Sequence, residues 1–344
     1  MRRSEALGAR VGRRREATRR QVRHVRGYRT GPVGPPAVAI VPLACLAFQL
    51  GLGPPCAAQR PLQIAPESPQ WVTKAVRGPH LQHRTFRSAA AHAEVSYHVY
   101  TPEAYDGEPQ RRFPVLYWLH GTGGGLIGLR PLAARFHAAI RAGKTPPMIV
   151  VFPNGTPASL WVDSRDGAVP METILVKELI PHIDETWRTV ASRKGRIVEG
   201  FSMGGYGAAR LGVKYPELFA GASVLSGGPL QREFSYSPRV GPRGREMILQ
   251  TVFGGDEEYF RSVSPWALAE QSADQVRGRA ALRIVIGELD EMLQVNEQFD
   301  RHLTALGIPH SFTVVPGVGH NALALLRRLG PTQWEFYRDA MAEP

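Results

Sequence analysis

Cysteine is nearly absent: the 344 residues contain two, Cys45 and Cys56. Both fall within the first 58 residues, ahead of every motif that carries chemistry. That placement excludes a disulfide framework, a cysteine nucleophile and a cysteine-ligated metal from the rest of the chain. A basic surface is also lacking once position is considered. The net charge is +12, but residues 1–30 hold eleven Arg against Glu5 and Glu16, which leaves +3 for everything after them. A domain that close to neutral has no electrostatic footprint for a phosphate backbone, so nucleic-acid binding is not expected. There is no internal repeat, and the apolar run at 37–48 is short and broken by Pro42, so no stable membrane span is expected.

What is present at the start is an ordered leader. The Arg-rich stretch is followed by the apolar run and then by the small residues Cys56-Ala57-Ala58. That order predicts a secretory signal peptide cleaved near Ala58, and hence a secreted or periplasmic protein. The leader is long, so either the true start lies downstream of Met1 or Arg19-Arg20 belongs to an export signal. A basic arm on a cytosolic protein is the alternative. Three segments follow: a leader over 1–58, a lead-in over 59–93 rich in Pro, Gln, Arg and His that packs late or stays loose, and a catalytic domain over 94–344.

With 43% apolar residues the chain can bury a full core in one domain. From Glu94, Val95, Tyr97 and Val99 alternate with Ser96, His98 and Tyr100, as in a strand with one wet face. Runs at 114–119, 148–152, 196–201 and 282–286 are almost wholly apolar, as in central strands of a parallel sheet covered on both faces. Shorter or more polar runs occupy 222–225 and 311–315. Helical spacing occurs over 171–188, 203–214, 294–306, 321–329 and 331–341. The alternation predicts a doubly wound, mostly parallel α/β sheet with helices on both faces. The stretch 227–265, with Pro229, Pro238 and Pro242, reads as a long irregular loop, either a cap over a site or a surface excursion.

The centre of the chemistry is Gly200-Phe201-Ser202-Met203-Gly204. Alone the pattern is weak, but here a strand leads in and an amphipathic helix leads out. Such a strand-to-helix turn lifts a serine hydroxyl off the sheet edge, and glycines two residues before and after make room for it. Ser202 is therefore the candidate nucleophile. A tetrahedral intermediate needs two N–H donors. Met203 would supply one, and Gly121 or Thr122, in the run His120-Gly121-Thr122-Gly123-Gly124-Gly125 after the strand at 114–119, the other. The same glycines satisfy a dinucleotide-binding pattern through Gly123, Gly125 and Gly128. That fold wants an acid at the end of the next strand, which instead closes on Phe152-Pro153-Asn154.

A serine at such a turn needs an acid and then a histidine later in the chain. Asp290, just past the strand at 282–286, is the favoured acid, with Glu288 as its competitor. His320, in the loop after the strand at 311–315, is the base.

With these residues assembled, the region 113–329 resembles the esterase D-like family of α/β-hydrolases, which includes S-formylglutathione hydrolases, feruloyl and acetyl xylan esterases, siderophore esterases and mycolyltransferases. The likeness rests on His120-Gly121 with its glycine run, Trp161-Val162-Asp163-Ser164, the helix with Glu178-Leu179-Ile180-Pro181, the serine turn, and the Asp290 and His320 loops. It implies the α/β-hydrolase fold and ester hydrolysis through an acyl-enzyme, with no metal or cofactor. The partner would be a small-molecule or glycan-linked ester, and the protein a monomer or weak homo-oligomer. Trp161 and Asp163 are family-like substrate-binding positions, although Trp161 also reads as core. An acyltransferase of the mycolyltransferase type would keep the same three residues, and a non-catalytic binding protein would share only the fold.

Overall fold

The computed structural model describes residues 69–234 and 239–341. The leader and both cysteines lie outside the described residues, as does the first part of the lead-in. An eight-stranded sheet organises what is described: β1 (Leu81–Ser88), β2 (Ala93–Tyr100), β3 (Val115–Leu119), β4 (Ile149–Pro153), β5 (Arg196–Phe201), β6 (Gly221–Leu225), β7 (Ala281–Gly287) and β8 (His310–Val315). Their spatial order is β1-β2-β4-β3-β5-β6-β7-β8. The first two strands pair antiparallel with each other and with β4, and the other six run parallel. The sheet therefore begins before residue 94. Much of β1, Leu-Gln-His-Arg-Thr-Phe-Arg-Ser, is open to solvent, and an edge strand of that composition has no apolar run to betray it.

The helices are α1 (Ala104–Gly107), α2 (Leu129–Arg141), α3 (Met171–Thr173), α4 (Ile180–Thr186), α5 (Met203–Lys214), α6 (Gly241–Phe253), α7 (Glu257–Val263), α8 (Pro265–Val276), α9 (Leu293–Ala305), α10 (Ala322–Leu329) and α11 (Pro331–Met341). A π-helical segment over Ile174–Leu179 joins α3 to α4. Pro181, which cannot donate to the helical ladder, stands just beyond it.

Alternation along β3 shows why both faces need cover. Val115, Tyr117 and Leu119 enter one core with the 171–183 segment, α5, α8 and α9. Leu116 and Trp118 enter the other with α2, α10 and α11. Polar groups pin the second layer to the sheet. Arg283 on β7 donates to Glu199 on β5 at 2.8 Å and to Ser223 on β6 at 2.8 Å, and Tyr337 on α11 donates to Glu199 at 2.8 Å. Removing one partner of a buried pair of this kind costs about 3–5 kcal/mol.

The stretch 227–265 differs from the expectation of an irregular loop, since it carries α6 and α7. Pro242 stands in the first turn of α6 and Gly254 caps its end at φ +64°. Proline at the start and glycine just past the end are helix punctuation.

Candidate active site

β5 delivers Ser202 to the carboxyl end of the sheet, where parallel α/β folds leave a crevice. Its backbone sits at φ 58°, ψ −117°, a conformation that costs a non-glycine residue about 1–3 kcal/mol. The surroundings hold it there. Ser202 N–H donates to Leu225 O at 2.9 Å, and Ser202 O accepts from Tyr206 N–H at 3.0 Å and from Gly228 N–H at 3.2 Å. Two glycines make the turn possible by close approach. A Cβ on Gly200 would lie 2.1 Å from Gly204 O, and one on Gly204 would lie 1.9 Å from Leu119 O.

β3 ends beside this turn, with Leu119 in register with Gly200. The glycine run then passes close over Ser202: a Cβ on Gly121 would stand 3.2 Å from Ser202 Cβ. His120 organises the run. Its Nε2 accepts Gly155 N–H at 2.9 Å, so its Nδ1 carries the proton and donates to Gly121 O at 2.8 Å. Burial lowers the imidazole's pKa to about 4, against the smaller opposing effect of the Gly121 bond, so it stays neutral in this role. Across a trans peptide, fixing Gly121 O to one side aims Thr122 N–H to the other.

β7 and β8 supply the remaining groups. Asp290 Oδ2 lies 2.9 Å from His320 Nδ1, and Oδ1 lies 3.0 Å from it. Asp290 Oδ1 also accepts Met292 N–H at 2.9 Å, so one carboxylate orients the imidazole and secures the turn into α9. Burial raises the Asp290 pKa, but hydrogen bonding to His320 and the imidazole's charge outweigh it, and the net shift is downward. Glu288, the competing acid, points elsewhere and accepts Gly317 N–H at 2.9 Å. His320 Nε2 is buried with no hydrogen-bond partner among the described residues, and its ring lies 4.6 Å from that of Phe201. Asn321 follows and caps α10 by accepting Ala324 N–H at 2.9 Å.

Ser202, His320, Gly121 and Thr122 line one cleft of about 400 Å³. Asp290 lies behind His320, and Met203 is buried as the first residue of α5. The apolar walls come from Leu160, Phe234, Val240, Ile248, Met292 and Leu323. None of these was legible beforehand, because they are ordinary apolar residues on five separate segments. Trp161 and Asp163, the expected substrate-binding positions, are not among the residues that line the cleft. Trp161 is fully buried, with its indole N–H donating to His120 O at 3.2 Å, so it packs beneath the glycine run. Asp163 accepts from Thr173 N–H at 2.9 Å and from Thr173 Oγ1 at 2.7 Å, which secures the start of the 171–186 helix.

The model of the family described as "Putative esterase" matches residues 88–322. Esterase Rv1288 of Mycobacterium tuberculosis (strain ATCC 25618 / H37Rv) is 31% identical over 271 residues, covering 70% of this chain and 56% of that protein. The chain thus spans about half the length of that relative. An endo-1,4-beta-xylanase/feruloyl esterase of Xylanibacter ruminicola is 31% identical over 173 residues, 46% of this chain and 23% of that one. Among solved structures, a ferulic acid esterase superposes with a TM-score of 0.63 at 22% identity, covering 76% of this chain and 98% of the other. That likeness establishes the α/β-hydrolase fold. Because the family match runs from the end of β1 to the start of α10 and takes in Ser202, Asp290 and His320, the chain belongs to the Putative esterase family.

Proposed function

We propose that this protein is an exported serine carboxylesterase that hydrolyses a carboxylic ester through an acyl-enzyme on Ser202. The observation that carries the reading is His320: Asp290 holds its Nδ1, and its buried Nε2 has no partner among the described residues in the cleft that Ser202 also lines. In the proposed reaction Nε2 takes the Ser202 hydroxyl proton as Oγ attacks the ester carbonyl. The oxyanion is held by Met203 N–H and by the glycine-run N–H, Gly121 or Thr122, with Thr122 favoured by the anchoring of Gly121 O. His320 then gives the proton to the leaving alcohol. Water, activated by the same imidazole, releases the acid and restores the serine.

The substrate would be a small-molecule or glycan-linked ester whose acyl group occupies the apolar wall. The names of the feruloyl esterase relative and of the ferulic acid esterase structure suggest an aromatic acyl group. Export is read from residues 1–58, which lie outside the described residues. Among the described residues no helix is long and apolar enough to cross a membrane. The test is hydrolysis of p-nitrophenyl acetate by the wild type and Ser202→Ala, with products analysed in water and with an added sugar or lipid alcohol. The proposal expects free acid as the main product and loss of turnover in the variant. Acyl transfer to the added alcohol as the dominant path would convert the reading to the acyltransferase. Undiminished turnover by Ser202→Ala would overturn both.

A further inference from the structure

At the antiparallel edge of the sheet, away from the cleft, His80, Glu103 and His137 converge although they are far apart in sequence. Each offers one donor atom, and these atoms all lie within 4.8 Å of one another. None of the three lines the cleft. We propose that they form a binding site for a divalent first-row transition metal, with Zn²⁺ as the fitting ion, that fastens the β1–β2 edge to α2.

The spacing of the imidazoles carries the argument. The rings of His80 and His137 are 5.2 Å apart between centres. With Zn–N bonds of about 2.0–2.1 Å the ion sits roughly 3.2 Å from each ring centre, and two rings at the tetrahedral angle are then about 5.2 Å apart. The separation of ring centres matches a shared ion, but the rings lie stacked, 22° from parallel, so side-chain rotation must bring their nitrogens, now within 4.8 Å of one another, onto that ion. Glu103 Oε1 is 3.8 Å from His137 Nε2, somewhat wider than two ligands of one ion, and its side chain is 53% exposed and can close the gap. Two imidazoles and one carboxylate suit zinc, cobalt, nickel or copper better than magnesium or calcium.

Two further features fit. Tyr100 OH lies 3.2 Å from His137 Nδ1; in the tautomer in which it accepts that proton the Nε2 lone pair faces Glu103, the outer-shell arrangement common to metal-bound histidine. His80 stands at φ 57° as the third residue of the turn Gly78-Pro79-His80-Leu81, closed by Leu81 N–H donating to Gly78 O at 3.2 Å. With proline second, such a turn takes glycine most readily in third place. An imidazole is held there against backbone preference, and ligation gives that position a purpose. Arg141 Nε, 3.7 Å from Glu103 Oε1, is the cation that the metal would displace.

The site is independent of the esterase reading, and its test needs no substrate. Untagged full-length protein, stripped with chelator, is titrated with ZnCl₂ by calorimetry, and its melting temperature is followed with and without Zn²⁺. The expected result is a saturable equivalent per chain that raises the melting temperature. His80→Gly, which suits the turn while removing the ligand, and His137→Ala should each weaken that binding at least tenfold and abolish the thermal shift. Arg141→Ala should bind at least as tightly as the wild type. Absence of saturable binding in the wild type, or full-strength binding by His80→Gly and His137→Ala, would overturn the proposal.

Discussion

Asp290 Oδ2 stands 2.9 Å from His320 Nδ1, so a neutral imidazole there must donate to the carboxylate and present Nε2 as an acceptor. That relationship makes the aspartate an orienting group as well as a charge. Asp290→Asn would replace the acceptor by an amide that can favour the other tautomer. The expected loss in kcat on a p-nitrophenyl ester is on the order of 10⁴, with the fold retained by circular dichroism. A loss below tenfold would assign the orienting role to another acid.

His120 lines the cleft, takes no part in the proposed proton transfer and acts by aiming the glycine run. His120→Ala should lower kcat by about tenfold to a hundredfold, less than deleting an oxyanion donor outright, while KM stays within about twofold. Equal losses in binding and turnover would instead point to collapse of the cleft. The imidazole's depressed pKa also has a stability consequence. As pH falls from 6.5 toward about 4 the unfolded chain takes up a proton that the folded chain refuses. Stability present above pH 6.5 is therefore lost through that window, by at most about 3 kcal/mol, and denaturant titrations of wild type and His120→Asn across it would show the difference.

Glu172 governs a lower window. It is buried, which raises its pKa, but Arg210, Lys214 and Tyr215 more than compensate and hold the carboxyl at about 2. Because the folded value lies below the ordinary 4.5, the stability it contributes is complete above pH 4.5 and lost as pH falls toward 2. The effect amounts to about 3 kcal/mol. The same network ties α5 to its neighbours, since Arg210 also donates to Trp161 O at 3.1 Å and to Val263 O at 2.5 Å. Glu172→Gln should be less stable than the wild type at pH 7 and show a flatter acid limb. An unchanged acid limb would contradict the assignment.

On the proposed reading the cleft wall is expected to set acyl selectivity. Ile248 lines it from α6, and Ile248→Trp would fill part of its volume. Activity on long-chain or feruloyl p-nitrophenyl esters should fall at least about tenfold in kcat/KM while acetate changes little, because each methylene that loses its place in an apolar pocket is worth about 1–3 kcal/mol. A uniform loss across chain lengths would place the acyl group elsewhere.

The parts of this molecule legible in its sequence were those where local and global constraints coincide. Strands β3, β4, β5 and β7 are covered on both faces and so read as continuous apolar runs. The turn at Ser202 announces itself through glycines that close approach demands. What stayed hidden depended on partners. The exposed, polar β1 has no pattern of its own, α2 opens with Leu129-Arg130-Pro131 and carries scattered arginines, and the caps of α6 look like loop residues. The pairing of Asp290, rather than Glu288, with His320 rests on side-chain direction, which residue spacing does not encode. Trp161 and Asp163 sit near the site in sequence pattern yet serve packing and a helix start. His80, Glu103 and His137 follow no ligand spacing, because three separate elements bring them together.

Activation of Ser202 by the Asp290–His320 pair is read out by covalent labelling. Folded protein is treated with a fluorophosphonate and the modified peptide is mapped by mass spectrometry, with His320→Ala and Ser202→Ala in parallel. A single adduct on Ser202 is expected in the wild type, with labelling slowed at least about a hundredfold in His320→Ala and none in Ser202→Ala. A wild type that remains unlabelled at Ser202, or a His320→Ala variant labelled at the wild-type rate, would contradict it.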